Sequence, residues 1–86
     1  MPTVAWILGY AVVFFFEDHD PPHFHVPGKG IEAKFLLEDL SIVELKGHLK
    51  PAEIKAIRAW GRRHLPALYR SWSMVQDGDT PPKIED

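Results

Sequence analysis

The chain has 86 residues, 45% hydrophobic and 26% charged, with a formal net charge of −2. That describes one small domain burying about 60–65% of its unfolded surface, and it excludes a disordered chain and any global attraction to nucleic acid or membrane. There is no cysteine, which rules out a disulfide scaffold, a thiolate zinc site and a cysteine nucleophile and fits a reducing compartment.

Residues Val4 to Phe16 carry no charge. At 13 residues, interrupted by Gly9, the run falls short of the roughly 20 that a membrane helix needs. No basic residues precede it and no small-residue cleavage pattern follows it, so it reads as soluble core. Within it, Tyr10 to Phe16 is dense in β-branched and aromatic residues and predicts a strand. Val12, Phe14 and Phe16 face one way, and Ala11, Val13 and Phe15 the other. A strand apolar on both faces is either central in its sheet or covered by a second subunit.

Glu17 to Pro22 predicts a loop, because consecutive prolines cannot continue a ladder. His23 to Val26 is a short strand. Pro27-Gly28 suits the centre of a type II turn. Ile31 to Leu37 alternates, with Ile31, Ala33, Phe35 and Leu37 inward and Glu32 and Lys34 outward, which predicts a half-buried strand. Glu38 to Ser41 turns the chain, Ile42 to Lys46 is a shorter strand, and Gly47 ends it.

Pro51 suits the first residue of a helix. Ile54, Ile57 and Trp60, then Leu65, Leu68, Tyr69, Trp72 and Val75, recur at helical spacing as one apolar face. Pro66 divides this stretch into two helices. Gly78 and Pro81-Pro82 end the helical region, and Ile84 is placed to pack back on the body. Strands first and helices after predicts an α+β fold. Its sheet is a three-to-four-stranded antiparallel meander over about 4–46, followed by two C-terminal helices over about 51–76 packed on one face. An extended acidic tail, 77–86, completes a single domain spanning 1–86. The aromatic content, including Trp6, Trp60 and Trp72, predicts a core built on a few large side chains.

The net charge hides a segregation. Residues 1–45 hold seven acidic and two basic side chains, a net −5; residues 46–70 hold one and seven, a net +6; residues 71–86 hold four and one, a net −3. The basic surface of Lys50, Lys55, Arg58, Arg62 and Arg63 either neutralises the acidic part of the same fold or serves RNA, DNA or an acidic protein partner. DNA reading by the helical pair is not expected. Arg70 is the single basic residue of the second helix, and a recognition helix presents several polar contacts.

The segment Asp18-His19-Asp20-Pro21-Pro22-His23-Phe24-His25 holds three of the five histidines and two carboxylates. His23 and His25 are two apart on a predicted strand, so they share a face with Cα atoms about 6.6 Å apart. The prolines turn the chain so that His19 or Asp18 can fold back as a third ligand. Asp18, His19, His23 and His25 are thus candidate ligands for a divalent metal such as zinc, and an open fourth position would make the site catalytic. The His19-to-His23 spacing imitates the helical zinc-protease pair, but Pro21 and Pro22 forbid that helix, and no glutamate stands in the place of the general base. Without metal, His19, His23 and His25 are candidate catalytic residues for RNA cleavage. His23 and His25 would act as acid and base, and helical Lys or Arg would stabilise the phosphorane. The alternative is structural: histidines pinning the loop, Phe24 plugging the core, aspartates capping backbone. His48 and His64 read as surface or helix-end residues.

The same loop resembles the signature of a small bacterial family catalogued as domain of unknown function 4160. The resemblance extends over Met1-Pro2-Thr3, Gly9 with the strand to Phe16, Glu32-Ala33-Lys34, Gly47-His48-Leu49-Lys50, Trp60, Trp72 and Ile84. It implies a small cytoplasmic bacterial protein, a component of a toxin–antitoxin-like two-gene unit, with a protein partner encoded nearby. It does not identify a reaction. Trp6-Ile7-Leu8 is more apolar than the family pattern, which argues against a nucleic-acid contact by the first strand and for a subunit contact in a homo-oligomer. Three functions therefore compete: a partner-binding module, a histidine- or metal-dependent ribonuclease or phosphodiesterase, and a non-catalytic metal-binding regulator.

Overall fold

A computed structural model describes residues 1–85. Five strands come first, β1 (Thr3–Ile7), β2 (Tyr10–Val13), β3 (His23–Gly28), β4 (Ile31–Leu36) and β5 (Ile42–Lys46), followed by α1 (Pro51–Arg63) and α2 (Leu65–Gln76). Neighbouring strands pair antiparallel in chain order, so the sheet is a meander. The fold is the expected α+β arrangement with one strand more. No described helix is long and apolar enough to cross a membrane.

The extra strand comes from the uncharged N-terminal run, which folds into a hairpin. Ile7 pairs with Tyr10 across Leu8-Gly9, and both turn residues have positive φ, 53° and 81°. That is the signature of a type I′ turn, whose twist matches the strands it joins. Leucine is an unusual residue there, which is why the run reads as one element in the sequence. β2 lies between β1 and β3, so its two apolar faces have the central position expected of them. The regular strand ends at Val13, and Phe14 continues by donating its N–H to Pro2 O.

The Pro27-Gly28 turn prediction is corrected. Pro27 and Gly28 are strand residues paired with Glu32 and Ile31, and the turn sits at Lys29-Gly30, φ 52° and 77°. The same two-residue type I′ geometry governs both hairpins, and their tips touch. Lys29 Nζ donates to Leu8 O and lies 4.2 Å from the centre of the Tyr10 ring.

β4 shows the predicted alternation, with Ile31, Ala33, Phe35 and Leu37 buried. Phe24 stacks on Phe35 at 5.2 Å between ring centroids and meets Trp60 of α1 edge-on at 6.4 Å. These rings, with Phe14, Ile57 and Leu68, form the centre of the core. Of the tryptophans, Trp60 and Trp72 are buried, whereas Trp6 is 67% exposed. The opposite face of the sheet carries Trp6, paired with Ala11, and the cross-strand row Val13, His25, Lys34 and Glu44.

The helix ends follow their sequence. Glu53 reaches back to accept the Lys50 backbone N–H at 3.0 Å, the half of a capping box that a carboxylate supplies. α2 closes in a Schellman motif: Asp79 N–H donates to Met74 O at 2.8 Å and Gly78 N–H to Val75 O at 3.1 Å, with Gly78 at φ 82°. Tyr69 departs from its predicted place on the apolar face and is exposed, because it lies at the edge of a stripe centred on Leu68 and Trp72. Ile84 packs on the core as expected, its N–H donating to Val4 O at 2.7 Å.

Glu53 also accepts the Tyr10 hydroxyl at 3.0 Å, joining α1 to β2. The Lys50 N–H, and then the Tyr10 hydroxyl, hold its carboxyl below the ordinary value of 4.5. A carboxyl depressed in the folded state contributes stability above its unfolded pKa, and that contribution is lost as pH falls through the folded value. Glu53→Gln should therefore lower Tm at neutral pH and leave it unchanged well below pH 4.5. Melting both proteins across that range checks it, and an equal deficit at every pH would contradict the assignment.

Candidate metal centre

β3 and the loop before it build the site. His23 and His25 alternate with Phe24 and Val26, so burial of the two apolar residues in the core turns both imidazoles to the other face. Their ring centroids are 4.9 Å apart. The loop carries Asp18 back over them, and the end of α2 holds it there, Gln76 Nε2 donating to Asp18 O at 2.9 Å. Asp18 Oδ2 lies 2.9 Å from His25 Nε2 and 3.3 Å from His23 Nε2. One ligand atom from each of the three residues falls within 4.8 Å of the other two.

The tautomers follow from the contacts. His23 Nδ1 is 2.7 Å from Pro21 O. A carbonyl only accepts, so Nδ1 carries the proton, and in the neutral ring Nε2 is left with a bare lone pair. That nitrogen is buried and has no hydrogen-bond partner among the described residues. The Asp18 carboxylate, another acceptor, lies 3.3 Å from it. Two acceptors 3.3 Å apart repel unless a cation, a proton or a metal, lies with them. Nδ1 bonded to a backbone carbonyl is also the arrangement that aims a metal-ligating imidazole.

The His25 side chain is mostly covered, 13% exposed, with Phe15 edge-on at 4.4 Å. Burial pushes its pKa below the ordinary 6.5, a shift that Asp18 partly opposes. The ring is therefore neutral at physiological pH, with its Nε2–H donating to Asp18 Oδ2 at 2.9 Å; an ion bound at that nitrogen would take the place of this proton. His23 is packed on the other side by Trp72 at 5.3 Å. Two histidines and one carboxylate are a zinc-type donor set. Tetrahedral ligands bound at 2.0–2.1 Å stand about 3.3 Å apart, close to the two Asp18 separations.

His19 lies outside the cluster. It is exposed and lines an adjoining cleft of about 460 Å³ with Asp18, Asp20, Pro21, His23 and Lys34. His48 is exposed, and His64 joins the two helices against Trp60 at 5.0 Å. The supporting roles of Trp72, Phe15 and Gln76 have no sequence signal, since each depends on how distant segments pack.

In comparison with known proteins, the family model Domain of unknown function (DUF4160) matches residues 9–73, well over half of the chain. No curated protein and no solved structure matches.

Proposed function

The chain belongs to the DUF4160 family, and we propose that it is a metal-binding component of a toxin–antitoxin-like two-gene unit in the bacterial cytoplasm. It holds one zinc-class divalent cation through Asp18, His23 and His25. The observation that carries this reading is the buried Nε2 of His23, unpartnered and facing the Asp18 carboxylate. A second protein binds elsewhere on the surface and completes the unit.

Titration of the metal-stripped protein with zinc in a calorimeter should give a stoichiometry of one and a competition curve that chelators reverse. His25→Ala should abolish it. Wild-type protein that takes up no zinc overturns the reading.

A second reading is metal-dependent phosphodiester hydrolysis. What favours it is the count of protein ligands: three, the number that leaves a position for water in catalytic zinc sites, beside a solvent-open cleft. There the chain's residues orient the ion and, through His19, move a proton at the cleft wall. RNA cleavage by the zinc-loaded protein, lost in Asp18→Asn, tests it. No cleavage confines the centre to binding and regulation.

A further inference from the structure

A second feature lies away from the metal centre. Lys55, Arg58 and Arg62 recur at spacings of three and four along α1, so they share one helix face. With Pro51 and Ile54 they line a groove of about 420 Å³ that contains no acidic and no aromatic residue. From the acidic part of the chain, Asp39 acts on Arg58 alone of these three cations. Lys55 and Arg62 have no ion pair or hydrogen bond among the described residues. Arg58, whose Nε donates to Leu40 O at 3.0 Å, also lines the groove.

We infer that this groove docks an acidic, partly aliphatic segment of a partner protein. The inference rests on the partner-binding half of the function proposed above and is independent of the metal centre. Charge complementarity sets the sign: Lys55 and Arg62, which have no ion pair among the described residues, and Arg58, which also feels the Asp39 carboxylate, together attract carboxylates and raise the encounter rate. The cations span about 10.5 Å of helix at 1.5 Å per residue. Carboxylates on alternate residues of an extended segment, about 6.6 Å apart, reach more than one of them. The lining also decides between a peptide and a nucleic acid. Single-stranded RNA is held by bases stacked on aromatic rings, and none lines this groove. Ile54 and Pro51 instead offer an apolar strip for aliphatic side chains between the carboxylates.

The test is fluorescence anisotropy with a short labelled peptide of glutamate and aspartate carrying leucine at every third position. The same peptide with lysine in place of the acids, and an oligouridine RNA, serve as comparisons. Wild type should bind the acidic peptide, more weakly as salt rises, and bind the lysine peptide and the RNA less well. Lys55→Glu combined with Arg62→Glu should weaken peptide binding by at least about tenfold. Both positions are exposed, so the double variant should melt like wild type and bind zinc as before. Four outcomes overturn the proposal: no peptide binding by wild type, unchanged binding by the double variant, tighter binding of oligouridine that the variant loses, or self-association that the variant abolishes. Loss of zinc binding with intact peptide binding would remove the metal centre and leave this surface standing.

Discussion

Zinc in hundredfold excess over its dissociation constant should raise the melting temperature of the metal-stripped protein by roughly 10–20 °C, and Asp18→Asn should remove that rise. A ligand bound only by the folded state stabilises by about 2.7 kcal/mol at this excess, and a domain of this size gains about 4–8 °C per kcal/mol. Asn keeps the shape of Asp18 and its backbone bond to Gln76 but removes the charge that draws the ion toward His23 and His25. His23→Gln should behave likewise for zinc, with an added cost before any metal is present. His23 is 4% exposed, donates to Pro21 O and packs on Trp72, and losing that part-buried hydrogen bond costs about 0.5–1.5 kcal/mol. The quantity to compare is therefore the increment produced by zinc in each protein, read from paired melts. An increment equal in wild type and both variants would place the cation elsewhere and return Asp18, His23 and His25 to a hydrogen-bonded loop.

The largest loss of stability should come from Phe24→Ala. The ring is fully buried between Phe35 and Trp60, and truncating a core phenylalanine costs about 3–5 kcal/mol. At about 0.05–0.15 kcal/mol per residue, a chain of this length has on the order of 4–13 kcal/mol in total, so the variant should stand near its unfolding threshold. Urea titration should show a lower midpoint with an unchanged slope. Phe24→Leu keeps most of the volume and should lose much less. Because Phe24 lies between the two histidines, its loss also frees the strand that aims them. Zinc affinity should fall in Phe24→Ala although no ligand has been touched. A loss under about 1 kcal/mol would mean that the stacked rings are not what fixes β3.

Elements whose period is strong were legible in the residues. The alternation from Ile31 to Leu37 and the three-and-four spacing of Ile57, Trp60, Leu68 and Trp72 each fix a buried face, because shifting either pattern would expose it. Turns were less legible. Leu8 and Lys29 adopt positive φ where glycine, asparagine or aspartate is the usual resident. The N-terminal hairpin therefore read as one apolar run, and the β3–β4 turn was expected two residues early. At the candidate centre, the two-residue spacing of His23 and His25 put both on one face. Nothing in the spacing chose between Asp18 and His19 as the residue that folds back.

The sequence by itself determined that the chain builds one antiparallel sheet before two helices. It also determined that, in the absence of cysteine, a zinc-class ion would have to be held by histidine and carboxylate, and that its positive charge gathers on and just before the helices. Those properties are local: periodicity, composition and residue type do not depend on what lies across the fold. The tertiary structure decided that Asp18 joins His23 and His25 while His19 faces the cleft, that Trp72 and Gln76 of α2 brace them, and that Lys55 and Arg62 stay unneutralised. Those depend on contacts between segments up to 58 residues apart. Such contacts are selected by the burial of the whole core, and no local pattern encodes them.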